Sequence, residues 1–232
     1  MDASAYAFAH GMRHTRATLR AWQRTPLRVL ARWTAGSALA AALLLAAVLL
    51  IASLDGGYEQ IISLQPPFEV GGLGDVLHVL RSNMLVLALH AMACVAGFIA
   101  GSSLPLQAQS RSGVSRMLHQ RGGPIAIAVV IGATTFSLSA QALVIGSQAA
   151  AVAARLHTNP ATLLVVLIAH APLELTALFL PLAAWISASR RGEWDQLLAA
   201  TFVTVVIALP MLLVAAFIEV FVSPHILHAL IG

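Results

Sequence analysis

Chemistry in this chain is confined to a few polar side chains inside apolar runs. The richest run is Ala161 to Ser189, ATLLVVLIAHAPLELTALFLPLAAWISAS, which carries His170, Pro172, Glu174 and Pro181. His170 and Glu174 are four residues apart, so on a helix they lie one turn apart on one face. An ionisable side chain at membrane depth costs roughly 2.5–3.5 kcal/mol or more, so such a pair should face protein or a watery cavity. Three kinds of chemistry fit it. The pair could hydrogen-bond across helices and fix their packing, at about 0.6–2 kcal/mol a bond. It could exchange protons or ions, as broken helices with polar midpoints do in carriers. It could also supply zinc ligands, with His90 as the third beside His170 and Glu174. The last reading, an intramembrane metal-dependent hydrolase, lacks HExxH and GxSxG in the sequence.

Other polar residues sit at helical spacings that could complete the same centre. Asn83 and His90 are seven apart, as are Gln141 and Gln148, with Ser137 one turn before Gln141. With His170 and Glu174 they form a candidate intramembrane polar centre. Their amides could satisfy backbone carbonyls freed by Pro172 and Pro181. Gly97 and Gly101 make a GxxxG pair, which permits close helix approach and hence a homodimer. Glu219 is expected either to reach the membrane interface or to pair with Arg155 or Arg81.

The elements that must position these groups are membrane helices. The 232 residues are 59% hydrophobic and 9% charged, with mean hydropathy +0.86. Soluble domains carry about 25% charged residues. Unbroken Leu/Ala/Val/Ile runs exclude a β-barrel and predict an all-α, polytopic bundle of five transmembrane helices. The spans are placed at about 33–54, 77–104, 124–154, 161–189 and 196–222 of one transmembrane domain, residues 33–232. Before it, residues 1–32 form a basic arm. Arg13, Arg16, Arg20, Arg24, Arg28 and Arg32 alternate there with Leu19, Trp22, Leu27 and Leu30, the pattern of an amphipathic surface helix. Residues 55–78 form an acidic, Gly- and Pro-punctuated loop. Trp185 and Trp194 are placed at interfacial depth around Arg190-Arg191.

The net charge of +4 comes from arginine alone on the basic side. Six arginines precede the first span, three lie between the second and third, and two between the fourth and fifth. That puts the N-terminus in the cytoplasm and the 55–78 loop outside. No folded basic domain supports nucleic-acid binding. The single cysteine, Cys94, can form no intramolecular disulfide. No cofactor motif is present, and membrane lipids are the expected surroundings. A cleavable signal peptide is not expected, because about 30 polar residues precede the first apolar run.

Asn83, His90, the QALVIG stretch of the third span, HAPLEL at 170–175 and the PLAAW that follows resemble the stage II sporulation protein M family over roughly residues 70–225. The resemblance implies a multi-pass protein of the bacterial inner membrane. It further implies a non-enzymatic scaffold or anchor that works with cell-wall-remodelling or other envelope partners. It marks His170 and Glu174 as motif positions and assigns them no catalytic role. The alternative function is a permease, or a permease subunit, with its ion-coupled site at His170 and Glu174.

Overall fold

The computed structural model describes residues 14–55, 71–104, 108 and 112–231. Most of the 55–78 loop and the first part of the arm, Arg13 included, lie outside the described residues. Every regular element among the described residues is helical. A short helix, α1, covers residues 14–22, and α2 (Pro26–Leu54) and α3 (Leu73–Phe98) follow. A π-turn over Ile99–Ser103 continues α3, and α4 (Gly113–Gln120) leads into α5 (Gly122–Arg155). Next come α6 (Pro160–Ile168) and α7 (Ala171–Arg190). A 3-10 turn, Trp194–Gln196, opens α8 (Leu197–Phe217). A second π-turn, Ile218–Val222, joins α8 to α9 (Ser223–Ile231).

Five of these stretches are long and apolar enough to cross a membrane, so this is a multi-pass membrane protein. The first begins at Pro26 rather than Trp33, because Pro at the first helical position needs no backbone donor and is already set to a helical φ. Arg28 and Arg32 therefore lie in the first turns of α2. The fourth predicted span, 161–189, is two helices. Pro172 has no N–H for the carbonyl of Ile168, and its ring disfavours a helical residue before it. Ala169 and His170 instead close the last turn of α6 with short-range bonds to Val166 and Leu167. The helix restarts with His170 as its N-cap.

The centre of the bundle is α7. Of its most apolar window 61% is buried, against 6% for α5, so α7 is the core staff and α5 an outer helix. Phe179 of α7 packs with Ala41, Leu44 and Val48 of α2 and Ala142 of α5. Ala177 and Leu178 meet Leu87 of α3 with Ala208 and Leu212 of α8. Leu180 and Ala184 meet Trp33 of α2 and Ala200 of α8. Three side chains also dock on the α7 backbone. The Ser37 hydroxyl of α2 donates to the Thr176 carbonyl. His90 Nδ1–H and the Cys94 thiol of α3 donate to the carbonyls of Leu178 and Pro181, at 2.9 and 3.2 Å.

Both ends of the α6–α7 run are set by local signals. The end of α5 closes with His157 at φ 50°. Thr158 N–H then bonds the Ala153 carbonyl and His157 N–H that of Ala154, at 2.9 and 3.2 Å. That pair of bonds is a Schellman closure. Asn159 accepts from Thr162 N–H at 2.9 Å and starts α6 within two residues. At the other end Gly192 sits at φ 69°, where a side chain would be strained, and closes α7 the same way.

Glycine decides two close contacts. A Cβ on Gly97 or Gly101 would run into the indoles of Trp185 and Trp194 respectively. The GxxxG pair is thus filled from within the chain and gives no argument for a homodimer. Trp185 is 1% exposed, inside the bundle rather than at an interface.

Candidate functional site

The break between α6 and α7 and the π-turn after α8 meet, and the ionisable residues gather there. One ligand-type atom from each of His170, Glu174 and Glu219 lies within 4.8 Å of the other two. His170 is 7% exposed, and the two carboxylates are half-buried. The N-cap position of His170 and the first-turn position of Glu174 set one side of the cluster. The π-turn sets the other. Ser223 N–H closes a wide turn onto the Ile218 carbonyl, and this accommodates Pro224, which cannot donate to Val220.

The imidazole is held by a relay. The Ser223 hydroxyl donates to the Ile218 carbonyl at 3.3 Å. Its oxygen is therefore left to accept from His170 Nδ1–H at 3.0 Å. With the hydroxyl turned to that carbonyl, the ring proton sits on Nδ1 and Nε2 keeps its lone pair. Asn83 of α3, 8% exposed, lies beside Glu174, and its Nδ2 makes no well-formed hydrogen bond among the described residues. A cavity of about 330 Å³ opens beside the cluster, with Gln148, His170, Glu219 and Ser223 in a mostly apolar lining from α2, α5 and α6.

The structure thus brings together part of the predicted centre and disperses the rest. Asn83, His170 and Glu174 meet as expected. Gln148 is exposed but lines the cavity. Gln141 lies on the outer face of α5 and donates to Ser137 at 3.0 Å, one turn away, so it is not part of the centre. A long peripheral helix has a wide outer face, and Gln141 falls on it. His90 is also outside the cluster. It is engaged by the Leu178 carbonyl and lies edge-on to Phe179 with ring centroids 5.9 Å apart. Glu219, and not the candidate ligand His90, is the residue that joins His170 and Glu174 in this cluster. Ser223 had no sequence signal beyond Ser223-Pro224, which ends the fifth apolar run.

The family model described as Stage II sporulation protein M matches residues 122–224. The matched stretch contains QALVIG, HAPLEL and PLAAW, together with Glu219 and Ser223, and it bears out the resemblance there. Asn83 and His90 lie before it. Neither a curated protein nor a solved structure matches the chain.

Proposed function

With residues 122–224 as a stage II sporulation protein M region, we propose that this chain is a non-enzymatic membrane scaffold that anchors envelope partners. The observation that carries the reading is the three-point docking of α2 and α3 side chains on the α7 backbone. Each such bond contributes about 0.6–2 kcal/mol in a membrane, and together they favour one fixed packing over alternating ones. A fixed bundle suits a platform. The arginine-rich arm then rests on the cytoplasmic face of the inner membrane, and the 55–78 loop faces outward to cell-wall-remodelling partners.

The test is affinity purification of the full chain from native membranes, with the loop residues 56–70 replaced by an equal length of Gly/Ser. A second variant lacks residues 1–13. Wall-remodelling proteins should copurify with the intact chain and be lost from the loop variant, while the unfolding temperature stays unchanged. The scaffold reading fails if both variants retain every partner.

A second reading, an ion-coupled permease, is favoured by the polar cluster beside its cavity. Reconstituted vesicles should then show flux that Glu174→Gln abolishes in a bundle that still folds.

A further inference from the structure

We infer that His170, Glu174 and Glu219 bind one divalent transition-metal cation that ties the α6–α7 joint to the π-turn after α8. Their ligand atoms already lie within 4.8 Å of one another. Donors about 2.1 Å from a single ion sit roughly 3–4 Å apart, so small side-chain rotations complete the set. One imidazole and two carboxylates form a mixed nitrogen and oxygen donor set. That set suits zinc or manganese, whereas calcium and magnesium take oxygen donors. A dication balances two carboxylates at a depth where net charge is costly.

Two further features point to a ligand. Ser223 Oγ, 3.0 Å from His170 Nδ1, can accept from an Nδ1–H while its own proton turns to the Ile218 carbonyl, which makes Nε2 the metal-donor atom. Metal-binding imidazoles are oriented in this way by an acceptor on the other ring nitrogen. Asn83 supplies the second feature. Its buried Nδ2 lies beside Glu174 and makes no well-formed hydrogen bond among the described residues, as expected of an amide placed to orient a ligating carboxylate or to meet a metal-bound water. The neighbouring cavity of about 330 Å³ reaches His170 and Glu219 and leaves space for that water. The cation would act as a clip: its ligands come from positions 170, 174 and 219, so it closes a loop of some fifty residues.

The experiment uses the full-length protein in detergent, free of any affinity tag, stripped with a chelator and titrated calorimetrically. Zn²⁺ alone is the first probe and Mn²⁺ alone the second. One ion should bind per chain and raise the unfolding temperature. Glu219→Gln, which keeps the shape and removes the charge, should abolish stoichiometric binding. Ser223→Ala should weaken it by about ten- to a hundredfold through the imidazole. His90→Phe, which lies outside the cluster, should bind as the wild type does. Uptake of less than roughly a tenth of an equivalent of both ions by the wild-type protein would overturn the inference, whether or not the variants fold. Unchanged affinity in Glu219→Gln would overturn it as well.

Discussion

Gly97→Ala is the substitution whose outcome most directly tests how this bundle is packed. The residue lies in α3 opposite α7, and its added methyl would overlap Trp185 Nε1, with Trp185 Cδ1 at 2.9 Å and Leu197 Cδ1 at 3.2 Å. The indole cannot swing away freely. It is 1% exposed and is enclosed by Cys94, Phe98, Ala188 and Leu197. Overpacking of this kind costs about 1–3 kcal/mol. For a chain of this length each kcal/mol shifts the midpoint by about 2–4 °C, so a fall of roughly 2–12 °C is expected. Gly132→Ala is the matched control. Nothing lies within 4 Å of a Cβ there, so the same methyl should be neutral or stabilising by up to about 1 kcal/mol. The assay is thermal unfolding in micelles followed by tryptophan fluorescence. Trp185→Phe should partly rescue Gly97→Ala, because the smaller ring vacates the overlap. The Trp185 Nε1–H finds no hydrogen-bond partner among the described residues, so little bonding is lost with it. Equal effects of Gly97→Ala and Gly132→Ala, or no rescue, would refute this account of the helix contact.

Other substitutions probe the same bundle. Ser37→Ala removes the α2 bond to the Thr176 carbonyl and should lower the unfolding free energy by about 0.6–1.7 kcal/mol in thermal unfolding. His90→Ala loses both the Leu178 bond and the edge contact with Phe179, so its loss should exceed that of Ser37→Ala in the same measurement. Gly146→Ala would place a Cβ 2.7 Å from Ile51 Cβ and 3.1 Å from the Val48 carbonyl. It should destabilise by about 1–3 kcal/mol, by forcing α2 and α5 apart. Cys94, at 0% exposure, should resist a membrane-permeant thiol reagent until the protein is unfolded by denaturant, as a labelling time course would show.

The sequence by itself determined the membrane class and the number of crossings, because hydropathy over some twenty residues is a local property. It also determined that His170 and Glu174 belong together, since four residues in a chain bring side chains together on a helix and also across the start of one. It pointed to Pro172 as a disturbance of the α6–α7 run.

Only the tertiary structure decided which polar residues share a space. Glu219 is forty-five residues from Glu174, and nothing in its own apolar surroundings says which neighbour it will face. The seven-residue spacing placed Asn83 and His90 on one face of α3. One turned out to meet a carboxylate and the other a backbone carbonyl, because α7 presents different groups at the two levels. The Gln141 and Gln148 pair was divided in the same way, by the edge of the contact between α5 and its neighbours. A helical period fixes the direction of a side chain relative to its own axis. The rotation of that axis against the other helices comes from packing, which the chain expresses only when all five crossings are assembled.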